Sequence, residues 1–93
     1  MTPDLRPYAT LLTAFLSRRI EPTEFQDIMI PLFKNDTYWR PQEIYETLNE
    51  IFEAAEAFEP NASAGDPYEM TEDQLYSIAE TGLRRLKDVA DPA

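Results

Sequence analysis

The chain has 93 residues, 43% of them hydrophobic, and a formal net charge of −10. This length predicts one domain, residues 1–93, with a single core, and the negative charge argues against direct binding to nucleic acid phosphates. Because the sequence has no cysteine and no histidine, it cannot form a disulfide or a Cys/His zinc site, and it lacks the commonest general acid–base side chain.

Two apolar-periodic segments in the first third of the chain predict two helices. The first runs from about Pro7 to Arg19, where Arg18 and Arg19 would suit the negative pole of the helix dipole. The second begins near Pro22, and Pro31 within it predicts a kink because proline removes a backbone hydrogen bond. The predicted core residues are Tyr8, Leu11, Leu12, Phe15 and Leu16, then Phe25, Ile28, Met29, Leu32 and Phe33.

Two further helices are predicted in the second half of the chain. The third starts with Pro41 at its first helical position and has a poor N-cap, since Arg40 offers no acceptor oxygen. The fourth starts at a capping box of Thr71 and Gln74, and its basic residues at 84–87 suit a helix C-terminus. The predicted core residues are Ile44, Leu48, Ile51, Phe52, Ala55 and Phe58, then Leu75, Ile78, Ala79, Leu83 and Leu86. Short connections favour an all-α, compact antiparallel four-helix bundle.

The connecting segments carry turn residues and exposed-aromatic candidates. Asn35-Asp36-Thr37 is typical of a turn, and residues 59–69 predict an ordered acidic loop between helices three and four because they contain two prolines and a glycine. Tyr38 and Trp39 are expected to cover one end of the core, with an exposed interface anchor as the alternative. For Tyr68, inside the loop, a contact role and an ordinary loop position are about equally supported.

The negative charge is concentrated in residues 41–83, here called the acidic block, which hold eleven carboxylates and no lysine or arginine. On the third helix the acids recur at three- or four-residue steps, which predicts a row opposite the apolar stripe. This acidic ridge consists of Glu43, Glu46, Glu50, Glu53, Glu56 and Glu59. Each like-charged pair of neighbours costs roughly 0.2–0.5 kcal/mol. A solvated helix face is one interpretation; we favour a surface that binds a basic protein or a phosphate-binding cleft.

Catalytic and metal-binding uses of these acids are not indicated. An EF-hand with Gly65 at its sixth position would place Pro60, Ala62 and Ala64 at ligand positions, and a di-iron bundle would need histidine. A hydrolase with two carboxylates would need a concave pocket, which a bundle of this size rarely offers. We therefore expect no enzymatic activity, no metal and no cofactor.

No apolar stretch approaches the roughly 20 residues that span a membrane, and the start of the sequence lacks the features of a signal peptide. We accordingly expect a cytoplasmic protein that does not associate with membranes.

Residues 51–62, I-F-E-A-A-E-A-F-E-P-N-A, strongly resemble the colicin D immunity protein family. The likeness continues in Tyr68-Glu69-Met70 and in the end of the last helix at 83–87, and more weakly in the first two helices, so that it covers roughly residues 8–88. The run at 54–62 is its most specific part. The resemblance implies a four-helix bundle that binds the anticodon-nuclease (tRNase) domain of a cognate bacterial toxin and covers its active site with an acidic surface in place of tRNA.

The resemblance also implies a toxin-binding site centred on Glu56, which matches a family carboxylate that engages the nuclease's catalytic centre. The candidate toxin-binding residues are Glu50, Glu53, Glu56, Glu59, Asn61, Asp66, Tyr68, Glu69, Glu72 and Asp73. Asn61 falls where the colicin D partner presents an aspartate, and an amide pairs less strongly with a protonated histidine. Either neighbouring carboxylates such as Glu59 or Asp66 compensate for the charge missing at Asn61, or the chain binds a different toxin.

The expected partner is thus a toxin nuclease domain, bound 1:1 by a chain that is monomeric when free, with no direct contact to nucleic acid. The alternative is an acidic nucleic-acid mimic or adaptor that sequesters a basic DNA- or RNA-binding protein.

Overall fold

Four α-helices make up the fold in the computed structural model, which describes residues 5–37, 39–62, 65 and 68–90, the side chains of 89 and 90 excepted. They are α1 (Arg6–Leu16), α2 (Pro22–Lys34), α3 (Gln42–Ala57) and α4 (Glu72–Ala90). Over these described ranges no strand forms, and an isolated bridge joins Phe58 to Met70. The predicted all-α, four-helix architecture is confirmed.

The helices form a closed ring in which α1 packs on α2 and α4, and α3 packs on the same two. The contacts between α3 and α4 fix an antiparallel orientation: Met70, just before α4, pairs with Phe58 after α3, whereas Arg85 near the other end of α4 reaches Glu50. Gly82 allows this close approach, because a Cβ there would lie 2.8 Å from Cγ1 of Ile51. Such a Cβ would force Ile51 to move.

A stack of aromatic rings lies in the core at the end of the bundle where α1 ends and α2 begins. The ring of Phe15 lies between those of Phe25 and Tyr76, with centroid separations of 4.3 and 4.2 Å. The guanidinium of Arg18 covers the outer face of Tyr76, 4.3 Å from its centroid, and so closes the stack with a cation–π contact. Residues from α1, α2 and α4 are thereby held together at one end of the bundle.

The helix termini agree with the sequence in part. At α4, the Thr71 backbone N–H donates to Gln74 Oε1 at 2.8 Å and the Gln74 N–H donates to Thr71 Oγ1 at 3.2 Å, so the capping box is confirmed. Pro41 is the N-cap of α3 and not its first helical residue, and no side chain caps it, as expected from the sequence. α2 continues through Pro31 to Lys34.

The predicted dipole role of Arg18 and Arg19 is wrong, because α1 ends at Leu16. The Arg18 N–H donates to the Phe15 carbonyl and the Arg19 N–H to the Ala14 carbonyl, at 3.0 and 2.9 Å. This is a Schellman motif, and Arg18 takes its left-handed position, with φ of 61°. Arg84 and Arg85 likewise lie inside α4, which extends to Ala90; of the basic residues only Lys87 lies in its last turn.

The expected burial is largely confirmed, with two exceptions. Ile28 is 47% exposed, because the buried stripe of α2 is centred on Phe25 and Met29 and a ring of four helices covers each helix on only two sides. Trp39 is 83% exposed because its neighbour Arg40 turns inward, so the prediction that Trp39 covers the core is wrong. Tyr38 lies outside the described residues.

The inward turn of Arg40 builds a buried charged cluster, here called the Asp36 cluster. Nε and Nη2 of Arg40 donate to Oδ2 of Asp36 at 3.0 and 2.8 Å, and the Tyr8 hydroxyl donates to the same oxygen at 2.6 Å. The side chains of Arg40 and Asp36 are only 6% and 9% exposed. Burial, together with the hydrogen bond to Asp36, holds the pKa of Tyr8 well above its ordinary value. The cluster ties α1 to the segment between α2 and α3.

Candidate functional site

The acidic ridge is exposed to solvent along α3 and just beyond its C-terminal end. All six of its glutamates, from Glu43 to Glu59, are exposed. The opposite face of the helix is buried, and Leu48, Ile51 and Ala55 are at most 1% exposed. The arrangement predicted from the three- and four-residue spacing is therefore present for the five glutamates on α3, whose carboxylates point away from the core. The predicted position of Glu59 on the third helix is wrong, because α3 ends at Ala57 and Phe58 is already extended.

The fold brings two basic side chains to the ridge from neighbouring helices. Nη1 of Arg85 lies 3.1 Å from a carboxylate oxygen of Glu50, and Nζ of Lys34 lies 4.0 Å from one of Glu56. All four side chains are about half exposed, so each pair contributes little to stability. The ridge is thus less uniform in charge than the sequence of α3 alone indicates, because its bases come from α2 and α4.

The ridge carboxylates differ in whether a basic side chain lies nearby. Among the described residues, no lysine or arginine nitrogen lies within 4.0 Å of the carboxylates of Glu53 or Glu59. The pair at Glu56 is the longest of those formed, at 4.0 Å. A long, exposed pair is readily exchanged for a better one. Among the described residues Glu43 and Glu46 also have no such nitrogen within 4.0 Å, so negative charge is accessible at both ends of the ridge.

Backbone and side-chain hydrogen bonds hold the C-terminal end of α3 in place. The Met70 N–H donates to the Ala57 carbonyl at 2.8 Å, and the Glu59 N–H donates to the Met70 carbonyl at 3.1 Å. From α2, the amide Nε2 of Gln26 donates to the carbonyls of Ala55 and Phe58 at 2.8 and 3.0 Å. Carbonyls at a helix C-terminus have no partner within the helix, so Gln26 caps α3 from outside. Local spacing along the chain does not predict this contact, since it joins residues 29 and 32 positions apart.

Most of the other candidate residues lie at the same end of the bundle. Asn61 is exposed and follows Glu59 in a turn closed by the Ala62 N–H, which donates to the Glu59 carbonyl at 2.9 Å. Tyr68 is 86% exposed and Glu69 is half-buried. Glu72 and Asp73 are exposed in the first turn of α4, where the positive pole of the helix dipole stabilises them. Asp66 lies outside the described residues.

The structure therefore groups Glu53, Glu56, Glu59 and Asn61 at the end of α3, with Glu72 and Asp73 across the Phe58–Met70 bridge. Glu50 stands apart, about two helical turns from Glu56 and paired with Arg85. Within the described part of the chain no cluster of three or more acidic side chains could hold a metal ion. No helix among the described residues is long and apolar enough to cross a membrane.

The described residues thus form a small all-α domain with a buried interior and an acidic outer face along α3. The family model for bacterial self-protective colicin-like immunity matches residues 4–86. The chain belongs to this family of immunity proteins, which confirms the resemblance found in residues 51–62. No curated protein and no solved structure gave a significant match to the chain.

Membership in the family supports a role in immunity to a bacterial toxin and implies that the chain binds a cognate toxin as an inhibitor.

Proposed function

We propose that the chain binds the tRNase (anticodon nuclease) domain of its cognate toxin and covers the basic active site with an acidic surface that mimics tRNA. The observation that carries this proposal is the exposed row of carboxylates along α3, which continues past the helix end to Glu59. Among the described residues Glu53 and Glu59 have no base within 4.0 Å and Glu56 has only the long pair with Lys34, and Gln26 and the Phe58–Met70 bridge hold this end in place.

The geometry of the ridge supports mimicry of a nucleic acid. Residues three or four positions apart on a helix are separated by about 4.5–6 Å along its axis, so the ridge presents a regular row of negative charges. A ribonuclease cleft gathers basic groups that bind phosphates, and carboxylates can pair with the same groups. Because glutamates carry no scissile bond, the cleft would be filled without turnover.

Rigidity and charge would serve different parts of the binding reaction. A preformed surface loses little conformational entropy on docking, which favours slow dissociation. The charge of −10 would steer a basic nuclease toward the ridge and raise the association rate. We propose that Glu56 pairs with the catalytic centre of the nuclease, and that Glu53, Glu59, Asn61 and the acids at the start of α4 surround it. Glu50, Asp66, Tyr68 and Glu69 complete the proposed surface.

We further propose that the free chain is a monomer, that the complex is 1:1, and that it forms in the cytoplasm, where tRNA is found. Inhibition by occlusion requires no catalytic step by this chain.

The direct test is co-expression of the chain with a panel of anticodon-nuclease domains, with scoring of cell survival and tRNA integrity. Survival with intact tRNA is the expected result. Protection only against a toxin that does not cut tRNA would disprove the tRNase assignment and leave the immunity role in place. Capture of a basic DNA- or RNA-binding protein, without protection against any toxin, would favour the sequestering alternative.

Charge reversal gives the matched control. Glu53→Lys or Glu59→Lys should slow association, most strongly at low ionic strength because salt screens the attraction. Glu80→Lys makes the same change in net charge on α4, at a residue paired with Arg84, and should slow association less. If Glu80→Lys slows association as much as Glu53→Lys or Glu59→Lys, the association rate depends on the net charge and not on the position of the ridge.

A further inference from the structure

The last turn of α3 ends without the kind of cap that closes α1. At the end of α1, Arg18 takes a left-handed conformation, and the N–H groups of Arg18 and Arg19 donate to carbonyls of the last turn. After α3 the chain continues in an extended conformation at Phe58, with φ of −62° and ψ of 131°. An extended exit carries the following N–H groups away from the helix end, so the last carbonyls of α3 need donors from other segments.

Gln26 of α2 supplies two of these donors from a single side chain. Its Nε2 donates to the carbonyl of Ala55 at 2.8 Å and to that of Phe58 at 3.0 Å. An amide nitrogen carries two N–H groups, so both are used on the end of α3. Both hydrogen bonds are partly buried, where a hydrogen bond is stronger than in water. One side chain of α2 therefore holds two points of the α3 C-terminus.

The two carbonyls that Gln26 holds come directly before Glu56 and Glu59 in the chain. Because a peptide group is planar, a carbonyl held in place also fixes the N–Cα bond of the next residue. The peptide group between Phe58 and Glu59 is held at both of its polar atoms. Its carbonyl accepts from Gln26, and its N–H donates to the Met70 carbonyl at 3.1 Å. The side chains of Glu56 and Glu59 are exposed, so their backbone attachment decides where their carboxylates can reach.

We propose that Gln26 is a positioning residue of the toxin-binding surface, which sets the spacing between the carboxylates of Glu56 and Glu59 and acts on binding through α3. This inference rests on the proposed function, and it adds an uncharged residue of α2 to the determinants of affinity. With both hydrogen bonds in place, the two glutamates are ordered before the toxin arrives. Without them, ordering the end of α3 would add to the cost of binding.

The first test uses the free chain and compares it with Gln26→Met, whose side chain is unbranched, similar in length and without an N–H donor. Backbone order is measured by NMR relaxation at the Glu59 amide. Its order parameter should be near 0.85 in the parent, as in rigid backbone, and should fall toward the flexible range below about 0.6 in the variant. The amide of Leu48, in the middle of α3, should stay near 0.85 in both chains. Equal order at Glu59 in the two chains would overturn the inference without any use of the toxin.

The second test measures binding to a catalytically inactivated anticodon-nuclease domain against which the chain protects cells in co-expression. Gln26→Met should dissociate about 5- to 100-fold faster than the parent, the range for the ordering of two side chains on binding. Its association rate should stay within about twofold, because the net charge is unchanged. Lower stability alone would reduce the fraction of chain able to bind and would leave the dissociation rate unchanged.

A matched control comes from another glutamine. Gln42→Met removes an amide that donates to the Glu46 carboxylate at 2.8 Å, at the opposite end of α3. Both rates of this variant should stay within about twofold of the parent's. Equally fast dissociation of the Gln42→Met and Gln26→Met chains would show that the effect does not come from the held end of α3, and would overturn the inference.

Double-mutant cycles locate the effect of Gln26. Gln26→Met combined with Glu59→Ala should weaken binding by less than the product of the two separate fold-changes, because one substitution removes what the other side chain positions. With Glu50→Ala, nearer the middle of α3, the fold-changes should multiply. Multiplication in both cycles, or a Gln26→Met chain that dissociates like the parent, would overturn the inference and leave the immunity role in place. A parent chain that protects against no anticodon nuclease would overturn the proposed function and this inference with it.

Discussion

Ion pairs occur in two different settings in this protein, at the Asp36 cluster and along the acidic ridge. The side chains of Asp36 and Arg40 are at most 9% exposed and their charged groups lie 2.8 Å apart. The Asp36 carboxylate also accepts a hydrogen bond from the Tyr8 hydroxyl. The Arg85–Glu50 and Lys34–Glu56 pairs are about half exposed, and the second is 4.0 Å long. The same chemical groups thus hold the fold together where water is excluded, and stay available to a partner where water has access.

The largest effect on stability is expected at the buried cluster. Asp36→Ala would leave the Arg40 guanidinium buried without its carboxylate and the Tyr8 hydroxyl without its acceptor. We expect the free energy of unfolding to fall by about 3–5 kcal/mol, the cost of breaking a buried pair, as measured by urea denaturation. The control, Glu50→Ala, removes an exposed pair and should cost less than about 1 kcal/mol. Similar losses in both variants would contradict the distinction between the two settings.

The second effect concerns binding and leaves the fold intact. Glu56→Ala should weaken binding of the toxin's nuclease domain by about 2–5 kcal/mol, because a charge pair desolvated in the interface would lose one partner. The free energy of unfolding should change by no more than about 0.5 kcal/mol, since Glu56 is exposed. Calorimetric titration and urea denaturation measure the two quantities. Glu80→Ala on α4 is the control and should bind normally; unfolding of the Glu56→Ala chain would show that the residue supports the fold.

A third prediction isolates the hydroxyl of the buried cluster. Tyr8→Phe should lower the free energy of unfolding near neutral pH by about 1.5–3 kcal/mol, since the hydroxyl donates to a charged acceptor. The pKa of Tyr8 is raised in the folded protein, so its stabilisation is complete below the ordinary tyrosine pKa of about 10 and is lost as the pH rises above it.

The pH dependence can be followed by denaturation at several alkaline pH values. The parent should lose up to about 1.4 kcal/mol per pH unit above pH 10 through this residue, and the Tyr8→Phe chain should lack that component. Parallel curves for the two chains would show that Tyr8 ionises equally well in the folded state.

The smallest effect concerns the lysine beside Glu56. Lys34→Met removes a competing cation from the ridge and should strengthen toxin binding by about 0.2–1 kcal/mol, the range of an exposed pair. Arg84→Met makes the same change in net charge, at a residue 3.0 Å from Glu80 on α4, and serves as the control. If both variants bind the toxin more tightly by the same amount, the increase in affinity comes from the change in net charge and not from the release of Glu56.

The sequence predicted the features that depend on local spacing. The apolar periodicity placed all four helices, the Thr71–Gln74 pair identified the start of α4, and the acid spacing placed the ridge opposite the core. These features follow from 3.6 residues per turn and from capping chemistry, which a window of a few residues contains.

The sequence did not predict features that depend on how distant segments meet. From the sequence alone Asp36 is typical of an ordinary turn residue, because its pairing with Arg40 depends on a non-helical segment and its bond to Tyr8 spans 28 positions. One signal was present: Tyr8 lies in an apolar stripe, and a buried tyrosine hydroxyl needs a partner. The exposure of Ile28 and the bases beside Glu50 and Glu56 follow from helix packing, which periodicity does not specify.

The most direct test of the central claim is a structure of the chain bound to the nuclease domain of its toxin. The account predicts that the nuclease covers the C-terminal end of the ridge, with Glu53, Glu56 and Glu59 in contact with basic residues of its active site. A nuclease seated on the α1–α2 side around Ile28, with those three glutamates left in solvent, would contradict it.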